Sequence, residues 1–225
     1  MLQLNSALIA IAAEFAGRYS PYQSIEISPD PRGGVYVAST DHGKIACLAF
    51  DPVGSGDETV QLLPNNDLIK ACRGIKTAER TITIGSNRIT ESCPAQPPSP
   101  ANTAIVTTHR KSTNDRVEVP LLYSSIEFPP LAQTLRAILE RWSGLPSTSA
   151  TAGRYDANYL QKAIKGLTAQ NSSVVLSAFD GGPMRIQGDN DSVVILVMPQ
   201  TAEPIPPIPE WLTVYSRGQE TVVSV

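Results

Sequence analysis

Residues 152–200 read AGRYDANYLQKAIKGLTAQNSSVVLSAFDGGPMRIQGDNDSVVILVMPQ, and the fold is decided in this stretch. It opens as an amphipathic helix. Tyr159, Leu160, Ala163, Ile164 and Leu167 recur at helical spacing on one face, while Asn158, Gln161, Lys162 and Lys165 occupy the other. Asp156 stands at the N-cap position, where its carboxylate can accept from a free backbone N–H, and Gly166 lies near the stop. Three β-type runs follow, at 173–179, 184–187 and 192–198, separated by Asp180-Gly181-Gly182 and Gly188-Asp189-Asn190-Asp191. Gly, Asn and Asp tolerate the backbone angles of tight turns, so the runs predict an antiparallel meander. The unit is a helix laid on an antiparallel sheet, closing in Val197-Met198-Pro199.

Working outward, residues 5–17 read as a helix with Leu8, Ile11, Ala12 and Phe15 inward. Strands are expected at 24–28, 34–39, 44–50 and 58–63, the first two joined by the turn sequence Pro29-Asp30-Pro31-Arg32-Gly33-Gly34. Pro64-Asn65-Asn66-Asp67 starts a second helix, with Leu68, Ile69, Cys72 and Ile75 on its apolar side, and Gly74 ends it. A hairpin, 80–84 with 88–90, is expected around Gly85-Ser86-Asn87. Residues 92–102, SCPAQPPSPAN, are loop or linker in composition. Strands at 104–108 and 116–122 flank a polar turn, and 129–142 is a helix with Leu131, Leu135, Ile138, Leu139 and Trp142 on one stripe. The class is α+β, helices on antiparallel sheets. The division expected is 1–92, a linker with extra strands at 93–125, a shorter unit at 126–200, and a Pro-rich tail at 201–225.

A chain of 225 residues with 41% hydrophobic and 17% charged residues can bury a real core. No apolar run reaches the roughly 18 residues of a membrane span. The apolar N-terminus lacks a basic leader and carries Glu14, so it reads as a helix rather than a secretion signal. Three cysteines, Cys47, Cys72 and Cys93, form neither a metal spacing nor an even disulfide set, which fits a reducing cytoplasm. Sequence motifs for zinc hydrolysis, a nucleophile elbow or a phosphate loop do not occur, and Asp189-Asn190-Asp191 lacks the later Glu of a calcium loop. Cys47 alternates within a strand and Cys72 lies on an apolar helix face, so both read as buried structural thiols. The expectation is a protein without catalysis, cofactor or metal. A net charge of −3 argues against a uniformly nucleic-acid-binding surface, but an acidic whole leaves room for a basic face.

Two local patterns, in order, resemble the bacterial sliding clamp, the DNA polymerase III β subunit. Tyr159 to Leu167 followed by the Val197-Met198-Pro199-Gln200 strand is similar to that family's closing YLLDALKAL helix and VMPM-type strand. Ala38-Ser39-Thr40-Asp41-His42-Gly43-Lys44-Ile45-Ala46 looks like its ATDGHRLA segment, with His and Gly exchanged and Lys44 in place of Arg. The helix 66–74 also resembles the family's second helix. The resemblance covers roughly 5–91 and 126–200 and implies a DNA-clamp-like fold of two clamp-type domains. The second is abbreviated, because only the loop 143–153 stands where three strands belong.

The resemblance implies that basic helix faces line a ring around duplex DNA, bound without regard to sequence. Lys70, Arg73, Lys76, Arg136, Arg141, Lys162 and Lys165 are the candidates, and the first helix offers no cation before Arg18. By charge pattern alone, these seven equally suit ordinary solvated faces. The resemblance further implies a pocket for peptide motifs of polymerase or loader proteins, built from Thr40, His42, Gly43, Lys44, Ile45, Leu196, Met198 and Pro199. Aliphatic and Met walls accept a Leu or Phe anchor, though Ile45, Leu196 and Met198 would also serve as plain core. Two domains cannot close a six-domain ring, so a homo-oligomer, a trimer or a dimer, is implied. The rival is a clamp-fold interaction module that never encircles DNA. The tail, through Ile208, Trp211 and Leu212, is a further candidate occupant of the pocket.

Overall fold

The computed structural model describes residues 1–75, 78–85, 102–111, 113–132, 134–136, 153–168, 173–178, 182–189 and 191–200. Its elements are β1 (Leu2–Asn5), α1 (Ser6–Ala13), β2 (Ile25–Pro29), β3 (Val35–Asp41), β4 (Ile45–Asp51), β5 (Val60–Leu62), α2 (Asn66–Cys72), β6 (Glu79–Ile84), β7 (Thr103–His109), β8 (Asn114–Pro120), α3 (Ala157–Thr168), β9 (Val174–Ser177), β10 (Met184–Gly188) and β11 (Val193–Val197). Further helical residues occur at 131–132 and 134–136.

One unit recurs: a helix followed by three strands, as α1 with β2–β4, α2 with β6–β8, and α3 with β9–β11. The first two copies are interleaved. β1, which precedes α1, pairs with β6 of the second meander, and β5, which precedes α2, pairs with β2 of the first. Two antiparallel sheets result, ordered β1-β6-β7-β8 and β5-β2-β3-β4-β11-β10-β9. The longer sheet runs without a break from the first half of the chain into the last. β4 and β11 pair antiparallel, with Val193 opposite Ala49 and Val197 opposite Ile45.

The helices form where capping and burial agree. Asn5 caps α1 by accepting from the Ala7 N–H, and Asn65 caps α2 by accepting from the Leu68 N–H. α1 is apolar nearly all round, and Ser6 to Ala12 are all buried. It is tied to its neighbours through polar atoms: Ser39 Oγ donates to the Ala12 carbonyl at 2.6 Å, and Ser6 Oγ donates to the Cys72 carbonyl at 3.3 Å. α3 shows the amphipathic pattern read from the sequence, with Ala163 and Leu167 fully inside. A single core runs from Leu2 and Ile84 through Phe15, Ile27 and Ile45 to Ile186 and Ile195.

Three expectations change. Leu2–Asn5 is a strand, and α1 begins only at Ser6 and ends at Ala13, so the opening helix is shorter than 5–17. β6 finds its partner in β7 rather than in residues 88–90, which lie outside the described residues. Residues 103–120, expected within a linker with extra strands, form β7 and β8 and extend the β1–β6 sheet. The loop 143–153, the rest of the 129–142 helix and the tail 201–225 lie almost wholly or wholly outside the described residues. Among the described residues, no helix is long and apolar enough to cross a membrane.

Candidate functional site

The β3–β4 turn and the end of β11 meet where the two halves of the chain join. The turn is tight: the Lys44 N–H donates to the Asp41 carbonyl at 2.9 Å, and His42 (φ 48°) and Gly43 (φ 66°) both take positive φ. Glycine adopts this conformation freely and histidine does not. The His42 ring is held by stacking on Tyr22, with centroids 4.5 Å apart, and its Nε2 lies 3.8 Å from Asp41 Oδ1. The exchanged His-Gly order therefore places the bulky residue in the first left-handed position and directs its ring onto an aromatic neighbour. From across the junction, the Met198 N–H donates to the Lys44 carbonyl at 2.9 Å, extending the β4–β11 ladder by one bond.

Two adjoining clefts open here. The first, of about 220 Å³, is lined by Tyr22, Thr40, Gly43, Ile45, Ala46, Pro129, Pro130, Leu131, Thr134, Leu135, Leu196 and Met198. The second, of about 490 Å³, is lined by Lys44, Arg154, Asp156, Tyr159, Met198, Pro199 and Gln200. All eight residues expected to form the pocket thus gather at one junction: five line the first cleft, Lys44 and Pro199 line the second, Met198 lines both, and His42 flanks Tyr22. Thr40 Oγ1 is committed to the Ile45 carbonyl at 2.8 Å, so the first cleft offers an apolar wall with little polarity of its own. Met198 is 37% exposed, beside a buried Leu196, so its side chain is accessible at the rim shared by the two clefts.

The sequence reading missed the opposite wall. After β8 the chain crosses back over β5, where the Leu63 N–H donates to the Leu122 carbonyl and the Ser124 N–H to the Gln61 carbonyl. Phe128 then buries itself and delivers Pro129-Pro130-Leu131 to the cleft. The Pro-Pro pair after Phe128 was the available signal. Tyr159, read as an apolar helix residue, turns its hydroxyl toward Asp41 Oδ2 at 3.4 Å, and burial together with the Asp41 charge raises its pKa.

The expected DNA-facing cations divide. Arg73 and Lys165 line one groove of about 810 Å³ between α1, α3 and the segment that follows α2, together with Arg80, Glu14 and Glu79. Its floor is the α1 stripe Ala7, Ala10 and Ile11. Arg80, which the sequence reading did not select, is pinned: its Nη1 donates to the Ala71 and Arg73 carbonyls, closing the C-terminus of α2. Lys162 lies above the Phe15 ring at 5.5 Å. Lys70 faces a separate cleft beside Asp67 and β8, and Arg136 follows Leu135 near the first cleft of the junction. Lys76 and Arg141 lie outside the described residues.

Burial pushes both Cys47 and Cys72 up to about 12, far from a reactive thiolate. Among the described residues, no group of three or more metal-ligating side chains converges.

No protein-family model and no curated protein matches this chain in sequence. Solved structures do match in shape. A putative DNA polymerase III β subunit from Eubacterium rectale superposes with a TM-score of 0.54 at 12% identity, over 90% of this chain and 66% of that one. The DNA polymerase III β subunit from Pseudomonas aeruginosa gives 0.52 at 12% identity, again over 90% and 66%. PCNA from Thermococcus kodakaraensis gives 0.52 at 11% identity, over 89% of this chain and the whole of that one. The chain spans just under two thirds of the bacterial clamps and the full length of the other. The chain is a divergent protein of the DNA-clamp fold.

Proposed function

We propose that this protein is a non-enzymatic DNA processivity clamp. In this reading, copies assemble into a ring around duplex DNA in the cytoplasm and tether replication proteins through short peptides seated at the β4–β11 junction. The observation that carries it is the convergence at that junction of the turn 40–45 with Leu196, Met198 and Pro199, two segments about 150 residues apart in sequence. An apolar cleft with an exposed methionine at its rim suits a Leu or Phe anchor, and methionine adapts its shape to varied partners. Arg73, Arg80 and Lys165 on the helical groove supply attraction to phosphates without base readout.

The peptide site is tested by titrating a labelled peptide with a Leu/Phe anchor against the wild type and Met198→Glu. Because Met198 is partly exposed, the variant keeps its melting temperature but loses peptide affinity by at least about tenfold, the loss of roughly one desolvated anchor contact. Unchanged affinity sinks the site.

A second reading, a clamp-fold interaction module that does not encircle DNA, is favoured by one specific feature. The groove floor on α1 carries no cation, and Glu14 and Glu79 sit among the three basic groups. The two readings share the junction site and part on DNA.

A further inference from the structure

We propose that the chain's own tail segment Ile208-Pro209-Glu210-Trp211-Leu212 docks in the junction cleft and competes there with other peptides. The inference rests on the reading of that cleft as a peptide site.

Three observations carry it. The first is where the described chain ends. Met198 lines both clefts, Pro199 and Gln200 line the second, and the Gln200 N–H donates to the Arg154 carbonyl at 2.7 Å. The 25 residues that follow therefore depart from the rim of the site itself. Trp211 lies eleven residues past Gln200. At about 3.1 Å per residue for a Pro-rich extended chain, that tether reaches roughly 30 Å, ample to fold back over its point of departure.

The second is the chemistry of the walls. Tyr22, Ile45, Leu131, Leu135, Leu196 and Met198 present no charged side chain to the first cleft. At about 220 Å³ it is smaller than the roughly 300–1,000 Å³ of sites that enclose a whole small ligand. It fits one or two apolar side chains presented by a peptide, and Trp211-Leu212 offers such a pair. The third is charge. Glu210 immediately precedes that pair, and Lys44 and Arg154 line the adjoining cleft that shares Met198. Four prolines precede the pair, at 204, 206, 207 and 209, and a proline has less conformational freedom to lose on docking than other residues. A short tether also supplies it at an effective concentration on the order of millimolar.

The test uses full-length protein throughout. Wild type and W211A/L212A are titrated with two labelled peptides, one comprising residues 203–215 of this chain and one an unrelated peptide with a Leu/Phe anchor. Both are expected to bind the variant, and to bind wild type about tenfold more weakly because the tail occupies the site about nine-tenths of the time. The gap is expected to persist on diluting the protein, and Met198→Glu in the variant background is expected to abolish both interactions. Should W211A/L212A fold poorly, Glu210→Lys serves, with a smaller relief in the same direction. Equal binding of the Leu/Phe peptide to wild type and variant overturns the proposal while leaving the peptide site intact. Failure of that peptide on both proteins overturns the site and the proposal together. A gap that closes on dilution assigns the tail to a neighbouring copy and overturns docking within one chain.

Discussion

Asp30 shows how far a single side chain can be understood. It sits in the β2–β3 turn, accepts from the Arg32 guanidinium at 3.0 Å and from the Tyr36 hydroxyl, and also accepts from the Arg32 N–H at 2.9 Å. The Arg32 hydrogen bonds, then that of Tyr36, hold its carboxyl well below the usual 3.8. A carboxylate depressed in the folded state stabilises it in full above the ordinary value. The contribution shrinks as pH falls below that value and vanishes beneath the folded one. Asp30→Asn is therefore expected to lower the urea midpoint near neutrality, with the difference from wild type narrowing below about pH 4, the ordinary carboxylate range. A constant difference across pH would refute the role assigned to its charge. The turn was legible in Pro29-Asp30-Pro31-Arg32-Gly33-Gly34, since each residue favours a turn for its own reason. The Tyr36 bond was not, because it depends on which face of β3 the ring occupies. The same holds at His42: its place in a turn could be read from the chain, but its positive φ and its stacking on Tyr22 could not.

At the scale of elements, the last meander could be read in sequence because it pairs with its chain neighbours, Met184 to Val197 and Ser177 to Arg185. Elements that pair at long range were hidden. β1 is only Leu2–Asn5 and gains its strand character from Ile84 to Thr81, some eighty residues away, so no local periodicity announces it. β6 was seen as a strand but given to the wrong partner, because a Gly85-Ser86-Asn87 signal suggested a local hairpin with 88–90 where the structure pairs it with β7. The long-range β4–β11 pairing is the more consequential case. It places Ile195 opposite Cys47, both fully buried, and makes the two halves of the chain one sheet. Ile195→Ala is expected to cost about 2–5 kcal/mol, the range for truncating a buried aliphatic side chain. The loss should appear as one shifted, cooperative transition, whether followed by far-ultraviolet circular dichroism or by fluorescence. Separate transitions for the two halves would show that the junction is not part of a common core.

For the molecule as a whole, the edges of the two sheets among the described residues carry the expectation. β8 and β9 end their sheets, and β9 exposes both Val175 and Leu176. Adjacent exposed residues on opposite faces of an edge strand leave a surface that invites a further strand. Leu176→Lys is expected to leave the fold within about 0.5 kcal/mol, as for an exposed substitution, while shifting sedimentation from an oligomer toward the monomer at micromolar concentration. A wild type that sediments as a monomer would leave only the module that does not encircle DNA. Which strand ends a sheet could not be read from the chain, because it depends on pairings between distant segments, such as β4 with β11 and β1 with β6. Encirclement is tested most directly on DNA. Protein assembled on nicked circular duplex is passed through gel filtration at high salt, where bare electrostatic contacts are screened to a few ångströms. The clamp reading expects the protein to stay with the circle and to be lost once a single cut makes it linear; equal loss from both forms, or equal retention, would contradict it.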